Sequence, residues 1–438
     1  MPRVDYENSD LYAILGVDRD APSGLVHEAF IKLLPKHHPE KDKEGFKAIY
    51  MAFRTLMDPR AREEYDSLHS CGGDIASNLN SAYASIFSGR LKRAEALARG
   101  IVEETGESSE ALMLLGQVQH EQGHFRDAIQ TISRLVEKYP RVPLYHLALG
   151  GMLADRYHAL DDTNAQDHAL KRAREQFEIA LELDSSSPFP YLEIGNTYFM
   201  DKVYERAFEW TDKAAMANGR LDFEDLDALL LGFQCLALLD DDERIHTQVL
   251  RIEDVIPSDK EIVSFAVARI VHVGILLIRQ QKYEHVRTLL LAAMRITNDK
   301  HEIRDLEEVL RDTDMAIDIH EVWDDFMQDT RIIKPVRDMA GDLMEHFLLK
   351  ISTEELDIRG QKFIQSLETW DRREIRRSIG IVKTQYPAVW KLNHQLWQSL
   401  ESLTGGISRG SGCIVPPWVW GLITIVAIIR FIMMLFKG

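Results

Sequence analysis

Apolar residues recur at helical spacing along most of the chain, while alternating apolar and polar runs bounded by turns are missing. Near the N-terminus, two apolar stripes flank the polar segment "KHHPEKD"; they are formed by Leu25, Val26, Ala29, Phe30, Leu33 and Leu34, and by Phe46, Ile49, Ala52, Phe53 and Leu56. Two such stripes joined by a short polar loop predict an antiparallel helical hairpin. The pattern therefore predicts an all-α fold whose first unit covers residues 1–70.

A sequence repeat follows this unit. Gly89, Leu91 and Ala94 recur as Gly123, Phe125 and Ala128, at the period of about 34 residues that is typical of tetratricopeptide repeats. In the clearest copy, Leu115-Gly116 is expected to start the close crossing of its two helices. Further copies centre on Gly150, Gly195, Gly232 and Gly274, each of which follows an aliphatic residue in the same way. Residues 75–300 thus resemble a tetratricopeptide solenoid, in which stacked helical hairpins form a concave groove for peptides or protein segments. The alternative is that the repeats serve only as a spacer.

Several residues of this predicted groove are candidates for partner binding, namely Gln117, Asn196 and Tyr198. Some tetratricopeptide grooves hold a carboxylate with lysine and asparagine side chains. Here the corresponding positions read Met113, Gln117, Leu192 and Asn196, so the sequence argues against such a clamp. The segment "RYHALDDTNAQ" lengthens the third copy, and we expect it to form the loop between its two helices.

The C-terminal third is predicted to have three parts. Residues 301–404 are helical without a readable period, residues 405–417 form a linker rich in Gly and Ser, and residues 418–436 are almost entirely apolar. A helix over this last stretch is long enough to span about 28 Å of hydrocarbon. Trp418 and Trp420 suit an interfacial anchor, and Arg430 suits a side chain that snorkels or pairs with another helix. We expect a tail anchor that leaves the preceding domains in the cytoplasm; a buried core helix is the alternative.

The composition of the chain argues against several classes of function. The net charge of −18 argues against a general nucleic-acid binder, because such proteins need basic residues to displace counterions from phosphate. Cys71, Cys235 and Cys413 are far apart, which argues against a disulfide framework or a thiolate zinc site. The chain has no P-loop, dinucleotide fingerprint, HExxH or GxSxG motif. We therefore predict a protein without catalytic residues, cofactor or metal, and not an enzyme.

The N-terminal unit resembles the J domain of DnaJ-type co-chaperones. The resemblance rests on "DLYAILGV" (residues 10–17), "HPE" (residues 38–40) and "AFRTLMDPRAREEYD" (residues 52–66). It implies a loop tripeptide, His38, Pro39 and Glu40, that docks on a DnaK-type chaperone and stimulates ATP hydrolysis by that partner. It also implies that the preceding helix presents a basic face, to which Lys32 and Lys36 belong.

This sequence departs from the family pattern in several ways, one of which is a loop from Glu40 to Phe46 that is shorter than in most relatives. Glu40 stands where the family has Asp, which keeps the charge but adds a methylene and a rotatable bond. His27, Glu28 and Ile31 occupy positions where basic residues are usual, and Pro35 should shorten the helix. The unit is therefore a degenerate J domain that either still stimulates a chaperone or is a J-like hairpin kept for packing or docking.

These features predict a co-chaperone anchored in a membrane, most simply the inner membrane of a bacterium. Its J domain recruits a DnaK-type chaperone, and its solenoid binds a protein client, since the zinc-binding and Gly/Phe-rich segments of the family are missing. The alternative is a membrane scaffold that uses the tetratricopeptide groove for assembly and does not stimulate a chaperone. The expected partners are thus proteins and membrane lipid, not nucleic acid.

Overall fold

The computed structural model describes residues 10–37, 42–70, 74–349, 353–367 and 369–405, and within these ranges every regular element is a helix. Two compact units divide the chain, residues 1–269 and residues 270–438. The all-α fold class predicted from the periodicity is confirmed, with a J-like hairpin domain followed by a repeat solenoid and a C-terminal helical region.

The N-terminal domain has four helices: α1 (Leu11–Leu15), α2 (Ser23–Leu33), α3 (Lys43–Met57) and α4 (Pro59–Ser70). Asp10 caps α1, since its side chain accepts a hydrogen bond from the N–H of Ala13 (2.9 Å), and Gly16 ends α1 at a φ of 69°. Helix α2 ends at Leu33, two residues before Pro35, because proline lacks the N–H and disfavours helical geometry in the residue before it.

The two predicted apolar stripes face each other between α2 and α3. Val26 and Ile49 are fully buried there, and the rings of Phe30 and Phe53 stack with centroids 4.2 Å apart. Helix α1 is tied to α4 by a hydrogen bond from the N–H of Leu11 to the buried hydroxyl of Tyr65 (2.9 Å). The hairpin that the sequence pattern predicted is thus present, and it carries the core of the domain.

Helical hairpins in the tetratricopeptide arrangement follow. Their helices within the first unit are α5 (Asp74–Phe87), α6 (Leu91–Thr105), α7 (Ser109–Glu121), α8 (Phe125–Lys138), α9 (Pro143–Arg156), α10 (Thr163–Leu183), α11 (Pro188–Met200), α12 (Tyr204–Ala214), α13 (Leu226–Leu239), α14 (Asp242–Asp254) and α15, which runs on into the second unit (Lys260–Arg279). Helices α7 and α8 cross closely at Gly116, where a Cβ atom would lie 2.5 Å from the Ile132 side chain. The Leu-Gly pairs of the repeat therefore mark close crossings, as expected.

The insertion in the third copy differs from its prediction. Tyr157–Ala159 form a short 3₁₀ turn, and α10 already begins at Thr163 and runs for 21 residues. Asp162 starts this helix, because its side chain accepts a hydrogen bond from the N–H of Ala165 (2.8 Å). Only the first part of the insertion is therefore loop, and the rest lengthens α10.

The J-like domain and the start of the solenoid share one hydrophobic core. Buried residues of α1, α3 and α4 and buried residues of α5, α6 and α7 belong to the same cluster; examples are Leu56, Leu68, Leu79, Ile101 and Leu114. Tyr65 of α4 and Tyr83 of α5 meet edge to face, with ring centroids 6.3 Å apart. The domain is thus packed against the solenoid rather than suspended beside it.

The second unit contains the end of α15 and a further set of helices, α16 (Tyr283–Ile296), α17 (Lys300–Gln328), α18 (Lys334–Leu349), α19 (Thr353–Leu367), α20 (Arg372–Gln385), α21 (Pro387–Leu392) and α22 (His394–Gly405). The end of α17 packs with α18 to α22 around a core that includes Phe326, Val336, Ile379 and Trp397. The buried Ser378 hydroxyl accepts a hydrogen bond from the N–H of Ile333 (3.0 Å), which joins α20 to the start of α18.

Among the described helices, Lys260–Arg279 is long and apolar enough to cross a membrane by length and composition alone. Of its most apolar window, 39% is buried inside the protein. The predicted membrane helix at residues 418–436, with Trp418, Trp420 and Arg430, lies outside the described residues and stays a prediction.

Candidate functional site

The loop of the J-like hairpin is held at both of its ends. His38, Pro39 and Glu40 themselves lie outside the described residues. On either side of them, the Nδ1 atom of His37 lies 2.7 Å from Oδ2 of Asp42. Asp42 also caps α3, since its Oδ1 accepts a hydrogen bond from the N–H of Gly45 (3.0 Å). One carboxylate therefore closes the loop and starts the following helix.

Gly45 makes this closure sterically possible. A Cβ atom at this position would lie 2.2 Å from Oδ2 of Asp42 and 2.3 Å from Nδ1 of His37, so any larger residue would force these two side chains to move. The residue is buried under the clasp, which we define as the His37–Asp42 contact. Sequence reasoning missed all three residues, although an aspartate directly before a helical stripe is a usual N-cap.

The two basic residues predicted to face a chaperone are both accessible. Lys32 and Lys36 are exposed, and Nζ of Lys32 lies 2.6 Å from Oε1 of Glu28, one turn earlier on α2. An exposed pair of this kind contributes little to stability, so it leaves the lysine free to exchange partners.

The neighbouring face of α2 is turned toward the solenoid. His27 and Ile31 line a cavity between the J-like domain and the repeats, and the Nε2 atom of His27 is in direct contact with Oε1 of Glu224, just before α13. His27 and Ile31, at positions that are usually basic in the family, thus pack toward the solenoid. This packing gives a physical reason why α2 carries fewer basic residues than is usual.

Two adjoining cavities separate α2 and α3 from the solenoid. One of about 280 Å³ reaches from Phe30 and Phe46 to Phe265, and the other, of about 490 Å³, reaches from Phe53 to Pro143. They share six lining residues, namely His27, Tyr50, Phe53, Pro188, Phe189 and Glu224. We call the two cavities together the J–solenoid groove; helices of both domains form its walls.

The solenoid wall of this groove carries desolvated carboxyl groups. Burial raises the pKa of Glu224, and it raises the pKa of Asp225 to about 6. Burial also raises the pKa of Glu193 to about 7; this residue follows Leu192 on α11 but lines neither cavity. On the opposite wall, burial lowers the pKa of His27, and the nearby charge of Asp222 opposes this shift. The groove is therefore apolar with an acidic side.

Polar contacts fix the rest of the junction. Nζ of Lys47 on α3 lies 2.7 Å from Oε2 of Glu121 at the end of α7. Glu64 of α4 accepts a hydrogen bond from the N–H of Ser109 (3.1 Å), at the start of α7. Each contact joins the J-like domain to a solenoid helix, so both contacts hold the J-like domain against the repeats.

The three predicted partner-binding residues lie on two helices and meet different neighbours. Gln117 belongs to α7, while Asn196 and Tyr198 belong to α11. Asn196 hydrogen-bonds the half-buried Glu193 of its own helix. The Tyr198 ring has the guanidinium carbons of Arg174 and Arg206 at 4.6 and 5.7 Å from its centroid. The groove is lined instead by the first turns of α11, through Pro188, Phe189 and Leu192. No sequence pattern singled out Pro188 or Phe189, and Leu192 entered the sequence analysis only as a position that does not suit a carboxylate clamp.

Comparison with known families matches two parts of the chain. The family model described as DnaJ domain matches residues 10–66, and the one described as tetratricopeptide repeat matches residues 88–150. The chaperone protein DnaJ of Lactiplantibacillus plantarum is 41% identical over 69 residues, which are 15% of this chain and 18% of that protein. That of Tropheryma whipplei is 37% identical over 81 residues, 18% of this chain and 23% of that protein. The chain thus spans about a fifth of the length of these curated relatives.

Solved structures similar to this chain include tetratricopeptide proteins. One from Thermus thermophilus covers 44% of this chain and 96% of its own, with a TM-score of 0.36 and 17% identity. Another from Parabacteroides merdae covers 65% of this chain and 99% of its own, with a TM-score of 0.36 and 12% identity. By the family matches, residues 10–66 of this chain are a DnaJ domain, and residues 88–150 are tetratricopeptide repeats on the same polypeptide.

Proposed function

We propose that this protein is a membrane-anchored J-domain co-chaperone, which recruits a DnaK-type ATPase through its N-terminal hairpin and holds a protein client or partner on its solenoid. The observation that carries the proposal is the DnaJ domain at residues 10–66, whose Lys32 and Lys36 are exposed just before the loop. The His37–Asp42 clasp supports it further, because docking loops bind best when they are held in shape before the partner arrives.

In this proposal the chain has no catalytic role of its own. His38, Pro39 and Glu40 contact the chaperone, and the chaperone hydrolyses ATP. Glu40 supplies the carboxylate for a charge-assisted hydrogen bond to a basic group of the partner. Its extra methylene costs rotamer entropy on docking, so we expect weaker stimulation than the aspartate variant would give.

The membrane part of the proposal rests on the apolar stretch at residues 418–436. Its length suits a bilayer, and Trp418, Trp420 and Arg430 suit its ends. We place the J domain and solenoid on the cytoplasmic side, in a bacterium at the inner membrane. A vesicle flotation assay tests this part separately. The full chain should float with the vesicles, and a chain that ends at residue 404 should not.

The second candidate is a scaffold that docks proteins at a membrane without stimulating a chaperone. It is favoured by one observation: His27 and Ile31 of α2 face the solenoid, so part of the usual chaperone-facing surface is covered. In this case His38→Gln leaves partner capture intact.

Binding of an ATP-loaded DnaK-type chaperone to the immobilised full chain separates the two candidates. The co-chaperone proposal predicts that His38→Gln and Lys32→Glu each weaken binding about tenfold or more. Lys92→Glu is the matched control, since Lys92 is an exposed lysine on α6. Equal binding by all four chains would support the scaffold.

A further inference from the structure

We propose that the J–solenoid groove is a binding site for an extended protein segment in which apolar side chains accompany a lysine or arginine. The inference rests on the proposed function only in taking the solenoid as a holder of protein partners. It goes further in placing the site between the J domain and the repeats, and in stating the chemistry of the occupant.

The shape of the groove fits an extended segment. Its lining begins with Pro143 and Leu144 on α9 and ends with Phe265 and Arg269 on α15. It thus passes the first helices of four successive hairpins, α9, α11, α13 and α15. Each cavity is of the order of a small ligand site, about 300 Å³ or more. A peptide laid across these helix ends would contact both cavities.

The walls of the groove are mostly apolar and partly open. Phe30, Tyr50 and Phe53 contribute rings from the J domain, and Phe189 and Leu192 face them from α11. Phe189 is 38% exposed although it lines both cavities, so part of its ring meets solvent. Apolar side chains of a ligand would cover this surface and release the water on it.

The charges of the smaller cavity select a cationic group. Its lining carries three carboxylates, Glu224, Asp225 and Asp227, against the Arg269 guanidinium and the His27 ring. Arg269 is engaged by Asp227 (2.7 Å), while Asp225 accepts a hydrogen bond from the N–H of Asp222 (2.9 Å). Glu224 contacts the His27 ring, and burial raises the pKa of both Glu224 and Asp225. A ligand ammonium or guanidinium beside these two carboxyl groups would favour their charged forms.

The larger cavity offers a donor for a peptide carbonyl. Nε of Arg54 is buried, and among the described residues it has no hydrogen-bond partner. Arg54 lines this cavity together with Pro188 and Pro190. A buried donor without an acceptor is unfavourable, so an incoming backbone carbonyl that reached this group would bind favourably here.

The direct test is fluorescence anisotropy with defined peptides and the full chain in non-ionic detergent, with protein-free detergent as the blank. The first labelled peptide alternates lysine with leucine and phenylalanine. In the second, glutamates replace the lysines, and in the third, serine and asparagine replace the apolar residues. We expect the first peptide to bind at least tenfold more tightly than either of the others.

Single-residue variants test whether the peptide binds in the J–solenoid groove. Phe189→Ala and Glu224→Gln are each expected to weaken binding about tenfold. Leu250→Ala and Glu209→Gln are the matched controls, because these residues are exposed on α14 and α12 and line neither cavity. Bound peptide should also slow amide exchange in α2 and the first turns of α11, and leave α8 unchanged. Phe189→Ala keeps the test valid even if Glu224→Gln disturbs the fold.

Three results would overturn the inference. Equal binding of the lysine and glutamate peptides would exclude the acidic site, and unchanged binding by Phe189→Ala would place the peptide elsewhere. A concentration-dependent dimer that Phe189→Ala abolishes, with no peptide bound, would assign the groove to a second copy of the chain. None of these measurements contains a chaperone, so their failure would leave the co-chaperone proposal untouched.

Discussion

The Nδ1 atom of His37 lies 2.7 Å from Oδ2 of Asp42, so that two residues flanking the J-domain loop close it from both ends. The same carboxylate caps α3 through the N–H of Gly45 (3.0 Å). The carboxylate that starts α3 therefore also contacts the residue that precedes the loop tripeptide.

Removing the carboxylate should affect both the helix and the loop. We expect Asp42→Ala to destabilise the J domain by about 1 kcal/mol through the lost cap, and to weaken chaperone binding as well. Asp58→Ala is the matched control, since Asp58 caps α4 through the N–H of Ala61 (2.8 Å) and does not contact the loop. Thermal unfolding and chaperone binding, measured on both variants, check this. Equal losses of chaperone binding would contradict a special role of the clasp.

Adding a methyl group under the clasp should open it. Gly45→Ala places a Cβ atom within 2.3 Å of both clasp atoms, and overpacking of this kind costs about 1–3 kcal/mol. Gly24→Ala is the control: it lies in α2, has nothing within 4 Å of its added Cβ, and should be neutral or slightly stabilising. Thermal midpoints of the two variants give the comparison. A Gly45→Ala protein as stable as Gly24→Ala would show that the clasp is not formed in solution.

The docking of the J domain on the solenoid can be measured as a coupling energy. Lys47→Glu and Glu121→Lys each break the half-buried ion pair at 2.7 Å, and the double variant restores it with reversed charges. We expect a coupling of about 1 kcal/mol in unfolding free energy. A control double-mutant cycle uses Lys43→Glu in place of Lys47→Glu, because Lys43 is an exposed residue of the same helix, α3. Additive effects in the first cycle would mean that the two domains are not in contact there.

Stability should fall as the pH rises through neutrality because of Glu110. Burial raises the pKa of this carboxyl, which accepts a hydrogen bond from the Tyr83 hydroxyl, to about 7. Because its pKa is higher in the folded state, protonated Glu110 favours folding. This stabilisation is complete below the ordinary pKa of a glutamate and is lost as the pH rises through about 7. Its full size is at most about 3 kcal/mol.

Chemical unfolding between pH 5 and pH 8 checks this effect. Glu110→Gln keeps a group that can accept the Tyr83 hydrogen bond and should flatten part of the slope. The rest should remain, because burial also raises the pKa of Glu193 to about 7. Glu209→Gln, an exposed carboxylate on α12, should leave the slope unchanged. A slope that Glu110→Gln does not reduce would place the titrating group elsewhere.

The helices and hairpins could be predicted from sequence because the determining contacts are local. Two apolar stripes predicted α2 and α3, and Leu115-Gly116 predicted the close crossing at Ile132. The start of α10 was not predicted, because the residues after Asp162 are polar types that are common in loops. The hydrogen bond by which Asp162 caps the helix favours a helix there instead.

The groove could not be predicted in the same way. His27 and Glu224 are almost two hundred positions apart, and neither belongs to a motif. The sequence placed partner binding on Asn196 and Tyr198, one to two turns beyond Leu192, since the repeat pattern does not report what covers the helix ends. Only the packing of the J domain against the solenoid shows which first turns face a cavity.

The recruitment of a chaperone is tested most directly by the steady-state ATPase rate of the cognate DnaK-type chaperone with the full chain. We predict that the natural sequence stimulates the rate, that Glu40→Asp raises the stimulation, and that His38→Gln abolishes it while Lys92→Glu does not. No stimulation by the natural sequence, and none after Glu40→Asp, would contradict the co-chaperone function.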